Sequence, residues 1–137
     1  AWMATAEVAG DFEAGSHATT FGGGALLSVA AAKVFEIMRR DKLVERAGEL
    51  GEWAMERFRA IGNNIPGSIR EVRGMGLMIG IDLARPGKNV WERLIDKGYI
   101  VNLTQETVLR LLPALTVEKD ELESFARTLE SILRAES

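Results

Sequence analysis

After Pro66 the spacing of apolar residues changes from a helical period to a strand period, and this switch constrains the fold more than any other feature of the chain. Upstream of it, Leu26, Leu27, Ala30, Val34, Ile37 and Met38 share one arc of a helix predicted over residues 24–40. Asp41 reads as the N-cap of a second helix reaching residue 61, with Leu43, Ala47, Leu50, Ala54 and Phe58 inward. Gly62-Asn63-Asn64 ends that helix and Pro66-Gly67 turns the chain. Downstream, residues 69–73 form a short strand, and Leu77, Ile79, Ile81 and Leu83 alternate with Met78, Gly80 and Asp82 in a second. Gly74-Met75-Gly76 is the bend between them.

The rest of the chain alternates in the same way. Asn89 is expected to cap a short helix that turns Val90, Trp91, Leu94 and Ile95 inward and stops at Gly98. Residues 99–103 and 108–112 read as two strands around a polar turn at 104–106. A last helix, residues 118–135, places Leu122, Phe125, Leu129, Ile132 and Leu133 on one side. Glu118, Asp120 and Glu121 suit the positive end of its dipole. Residues 1–14 read as the end of a strand and a polar turn around 7–11, with a single helical turn over 5–9 as the alternative. The expectation is an α/β chain in two unequal parts: residues 1–64, dominated by long helices, and a small α+β domain over residues 65–137.

Composition narrows the function classes. At 137 residues the chain can bury a core, and 47% hydrophobic with 27% charged residues marks a soluble globular protein. A net charge of −3 with no basic run argues against nucleic acid as partner. No stretch approaches the roughly 20 apolar residues of a membrane span. The absence of cysteine removes disulfides and thiolate metal sites and fits a cytoplasmic setting. Ala1-Trp2-Met3-Ala4 reads as the middle of a structural element, so a piece of a longer polypeptide is expected.

The stretch from Gly15 to Gly24 gathers the only histidine, two threonines and three consecutive glycines directly before a helix. It reads either as an anion cradle, with hydroxyls and helix amides as donors, or as a helix cap with a flexible lead-in. Gly74-Met75-Gly76-Leu77-Met78-Ile79-Gly80 misses the dinucleotide fingerprint, because a strand follows the glycines and the third comes one place late. Gly22-Gly23-Gly24 lacks the Lys-Ser or Lys-Thr of a Walker loop. One histidine cannot build a histidine metal cluster, no serine sits in a nucleophile elbow, and no metal ligands are assigned. Arg110 lies on a strand face shared with Val108 and Leu112, where a buried guanidinium needs a partner, either a protein carboxylate or a substrate carboxylate.

His17-Ala18-Thr19-Thr20-Phe21-Gly22-Gly23-Gly24 resembles the His-Gly-Thr-Thr-Phe-Gly-Gly-Asn-Pro motif of class III pyridoxal-phosphate (PLP) aminotransferases, the acetylornithine enzymes above all. Val72-Arg73-Gly74-Met75-Gly76-Leu77-Met78-Ile79-Gly80-Ile81, and Val101-Asn102-Leu103-Thr104 followed by Leu109-Arg110-Leu111-Leu112-Pro113, match later motifs in family order. The departures are Ala18 for glycine and Gly24-Ala25 for Asn-Pro.

The resemblance implies the end of a large PLP-binding domain followed by the small domain of the aspartate aminotransferase-like fold. It implies Thr20 and Thr19 as cofactor-phosphate ligands in the neighbouring subunit of a homodimer, and Arg110 as a substrate-carboxylate ligand. Asn102 takes a family-like place near the substrate entrance, or is simply a turn residue. None of Lys33, Lys42, Lys88, Lys97 and Lys119 matches the family's Schiff-base lysine motif, which the resemblance puts upstream of Ala1 with the aspartate that pairs with the pyridine nitrogen. The implied activity is transfer of the distal amino group of N-acetylornithine, or a similar ω-amino acid, to 2-oxoglutarate by a cytoplasmic enzyme. Ornithine, aminoadipate-semialdehyde and 4-aminobutyrate aminotransferases are the enzymatic alternatives. A non-catalytic binding module is the other reading of the chain taken alone.

Overall fold

Burial of one helix stripe against one sheet face organises most of the chain. The structure is a computed structural model and describes residues 4–12, 19–20 and 22–136. These fall into two compact units, Ala1–Asp41 and Lys42–Ser137.

In the first unit, α1 (Ala6–Ala9) is a single turn whose Thr5 hydroxyl accepts from the Val8 amide at 3.4 Å. The helical alternative is therefore the one realised in place of the polar turn, and the expected strand end at residues 1–3 lies outside the described residues. Helix α2 (Ala25–Arg40) forms as its period predicts, but it buries nothing among the described residues. Leu26 is 81% exposed and Leu27, Val29, Val34 and Phe35 are exposed too, so the predicted inward stripe is uncovered here except at the half-buried Ile37 and Met38.

Asp41 does not cap the next helix. Its carboxylate accepts two bonds from the Arg40 guanidinium, at 2.7 and 2.8 Å, and its backbone closes α2 instead. Lys42 then takes a left-handed conformation, φ 49°, and α3 (Leu43–Asn64) starts from it. This helix belongs with the sheet downstream of it. Its stripe of Leu43, Ala47, Leu50, Ala54, Met55, Phe58 and Ile61 is buried, and it packs along β1 (Ile69–Met75). The boundary expected after residue 64 thus falls inside the second unit.

β1 pairs antiparallel with β2 (Met78–Leu83) through a tight hairpin closed at Met75 and Met78. Helix α4 (Lys88–Asp96) leads to β3 (Asn102–Thr104) and β4 (Val108–Leu111), giving a four-stranded antiparallel sheet in the order β1-β2-β4-β3. Gly87, not Asn89, caps α4, because the Asn89 amide donates to Glu136 at 2.6 Å. Val90 and Leu94 of α4 are buried as expected, whereas Ile95 is exposed. Helix α5 (Lys119–Arg134) carries a capping box between Glu118 and Glu121 and buries its whole predicted stripe.

The core joins Phe58 and Ile61 of α3, Ile79 and Ile81 of β2, Leu109 of β4, Leu94 of α4 and Leu129 of α5, each almost fully buried. Each such side chain contributes about 1.5–3 kcal/mol over its exposed state. Phe125 meets Phe58 and Tyr99 edge-on, with ring centroids 5.9 and 5.3 Å apart. At the rim of this core, Arg57 of α3 donates to Glu123 at 3.1 Å and Glu130 at 3.0 Å on α5, and Arg134 donates to Glu130 at 2.8 Å.

Two of the three glycines of α3, Gly48 and Gly51, respond oppositely to a methyl group. A Cβ at Gly51 would run into the Gly76 carbonyl at the hairpin tip, whereas one at Gly48 would meet nothing within 4 Å. Gly51→Ala should therefore cost about 1–3 kcal/mol by overpacking, and Gly48→Ala should add about 0.5–1 kcal/mol from helix propensity. Denaturant unfolding of the two variants measures both signs.

The α3–α5 ion cluster sets an acid limit. Bonds from Arg134 and then Arg57 hold the Glu130 carboxyl below its ordinary range. A depressed carboxyl contributes stability above its unfolded pKa, about 4.3, and loses it as pH falls through the lower folded value. Unfolding midpoints measured from pH 6 downward should drop through that window, and Glu130→Gln should flatten the drop. An unchanged slope in Glu130→Gln would show that the cluster contributes nothing.

Candidate functional site

Each unit carries one of the sequence-predicted ligand groups. In the first, the Thr19 carbonyl accepts from the Gly22 amide at 3.3 Å, which folds Thr19, Thr20 and Gly22 into a turn. Gly23 follows with φ 75°, a conformation that favours glycine, and Gly24 begins α2 without a side-chain cap. Both threonines are exposed, and among the described residues neither hydroxyl has a hydrogen-bond partner. A Cβ at Gly22 would collide with the Thr19 Cγ2, so a larger residue there would turn the Thr19 side chain. Free hydroxyls and the uncapped amides of a helix start offer donors, and that set suits a phosphate. His17 and the Ala18 departure lie outside the described residues.

In the second unit the sheet buries one face. Ile79, Ile81 and Leu83 of β2 point into the core, so Met78, Gly80 and Asp82 point to the opposite face. Arg110 of β4 shares that face. It stands directly across from Gly80 on one side and Asn102 on the other. The alternation of Val108, Arg110 and Leu112 is real, but the burial inferred for the arginine is not. Val108 is buried, while Arg110 is exposed and Leu112 is 70% exposed. Among the described residues Arg110 makes no ion pair or hydrogen bond, so the internal salt bridge that the sequence left open is absent from them. Its planar fork is free for a two-pronged contact with a carboxylate.

Sequence reasoning does not single out Asp82. It is the one buried charged residue among those described, with Oδ2 3.2 Å from Arg70 and 4.0 Å from Arg73, and Oδ1 without a partner. Only its place in the β2 alternation hints at it. A cleft of about 590 Å³ runs between residues 98–101, 111–113 and α5. Its polar groups are Tyr99, hydrogen-bonded to Ser124 at 2.9 Å, and the acids Asp120 and Glu121. Arg110 does not line it. All five lysines are exposed, with Lys33 paired to Glu36 at 2.7 Å and Lys119 lying 4.6 Å over the Trp53 ring.

The family model for class III aminotransferases matches residues 1–133. The chain belongs to the class III aminotransferase family. It is 39% identical over 127 residues to an ornithine aminotransferase of an Exiguobacterium species, covering 93% of this chain and 31% of that protein. It is 37% identical over 134 residues to acetylornithine aminotransferase 1 of Bordetella bronchiseptica, covering 98% of this chain and 34% of the relative. The chain thus spans about a third of the length of the curated relatives it matches. Among solved structures, the Toxoplasma gondii ornithine aminotransferase with PLP in partial occupancy at its active site superposes with a TM-score of 0.76. That match has 26% identity and covers 90% of this chain and 30% of that one. The fold is that of the PLP-dependent aminotransferases, and PLP is the family's cofactor.

Proposed function

We propose that the intact protein is a PLP-dependent aminotransferase that moves the distal amino group of N-acetylornithine, or a closely similar ω-amino acid, to 2-oxoglutarate. The observation that carries the reading is Arg110, an exposed guanidinium without a protein partner among the described residues, on the sheet face opposite the core. Such a fork selects carboxylates, which both substrates bear. Ornithine as donor is the second reading, favoured by the 39% identity to the Exiguobacterium enzyme.

In this reading Thr19 and Thr20, with the uncapped amides opening α2, hold the cofactor phosphate. The electron sink for breaking the C–H bond beside the amino nitrogen is the chemistry the cofactor supplies when bound. Arg110 holds the substrate carboxylate and orients the rest of the substrate. The first unit completes a large cofactor-binding domain, the second forms the small domain, and the working protein is a cytoplasmic homodimer whose threonine turn serves the partner's site. The 137-residue chain alone is inactive, because each of its five lysines is exposed and outside a family-like setting.

Two substitutions in the full-length enzyme test the assignment. Arg110→Lys keeps the charge but loses the planar fork, so kcat/KM should fall ten- to a hundredfold, about 1.4–2.7 kcal/mol, while Tm barely moves. Thr20→Ala should weaken PLP by about 1.5–3 kcal/mol in an equilibrium titration. Normal kinetics in Arg110→Lys would remove the arginine from the substrate site, and unchanged PLP affinity in Thr20→Ala would remove that hydroxyl from the phosphate site.

A further inference from the structure

Gly80 is a glycine that its own domain does not require. It sits inside β2, where glycine forfeits side-chain packing and costs backbone entropy. Its φ is not among the left-handed ones. A Cβ there would meet Val108 Cγ1 at 3.4 Å, the Arg73 carbonyl oxygen at 3.8 Å and Arg73 Cγ at 3.9 Å, all ordinary contacts. Gly51 and Gly74 differ, since a Cβ at either would collide with backbone. A strand glycine explained by neither φ nor internal packing marks a place where something else approaches the backbone.

The sheet register says where that place is. Gly80 lies directly between Arg73 of β1 and Arg110 of β4, and Asn102 of β3 follows Arg110 in the same row. Neighbouring strands are about 4.8 Å apart, so the missing side chain leaves a gap on the sheet beside the Arg110 side chain. The stem of Arg73 borders the gap, and its guanidinium turns to Glu71 at 2.6 Å and to Asp82 at 4.0 Å. Arg110 is the free cation at the rim of the gap, and the Asn102 amide stands on its other side.

We propose that Gly80 is a clearance position. Its missing side chain lets a linear dicarboxylate held by Arg110 lie against the sheet, so the residue at 80 limits how bulky an acidic substrate the site accepts. This rests on the assignment of Arg110 as a substrate ligand.

The test uses the full-length holoenzyme and glutarate, an unreactive linear dicarboxylate, with dissociation constants from calorimetry and thermal unfolding of each variant. Gly80→Val should weaken glutarate about tenfold or more and Gly80→Ala about threefold, the scale of added methyl groups in a fitted site. Arg110→Ala should weaken it as well. Weakening by Arg110→Ala but by neither Gly80 variant overturns the clearance role and leaves the Arg110 assignment standing. No weakening by any variant defeats that assignment and the clearance role with it. Weakening by the Gly80 variants alone also overturns the proposal, since the gap would then serve a ligand that Arg110 does not hold. A large fall in Tm with unchanged glutarate affinity would show that protein packing fills the gap. Should Gly80→Val fail to fold, Gly80→Ala carries the test, because its methyl group fits the neighbours already present.

Discussion

The α3 stripe pressed on one face of the four-stranded sheet is the interaction on which the second unit depends. Phe58 and Ile61 meet Ile79, Ile81 and Leu109 there, and α4 and α5 close the core around them. Because strand side chains alternate, committing one face to this core commits Met78, Gly80 and Arg110 to the other. The hairpin between β1 and β2 is held against α3 by the close approach of Gly51 and Gly76. The antiparallel pairing of β2 with β4 puts Gly80 beside Arg110. The exposed arginine is thus a product of packing on the far side of the sheet.

The same rule decides which elements are legible in the sequence. Those with one buried face are: α5 with Leu122, Phe125 and Leu129, α3 with Leu50, Ala54 and Phe58, and β2 with Ile79 and Ile81. Helix ends are not, because caps depend on competing local bonds. Asp41 is drawn to Arg40 and Asn89 to Glu136, and neither preference is written in a period. The partner of helix α3 also escapes sequence reading. Continuity groups helix α3 with α2, while its stripe is buried on the sheet downstream of it.

Arg110 shows how far strand alternation reaches in the site. Alternation places it on the correct face, opposite Leu109, which is fully buried. Its exposure is missed because neighbouring Val108 is buried on the same face, so the face is partly covered and partly open. Gly80 shows in the sequence only as one of several glycines around a strand. Its meaning depends on the absence of a steric reason for glycine, which only coordinates can supply. The threonine turn is legible as donors before a helix, and the structure adds that both hydroxyls are free of partners among the described residues.

The central claim is that the sheet face opposite the core binds a carboxylate through Arg110. Phenylglyoxal labelling of the full-length holoenzyme, with and without glutarate, reads this directly by peptide mapping. Arg127 of α5, with its side chain 69% exposed, serves as the internal control. The account predicts that glutarate suppresses labelling of Arg110 and leaves Arg127 unaffected. Equal labelling of Arg110 in the presence and absence of glutarate would contradict it.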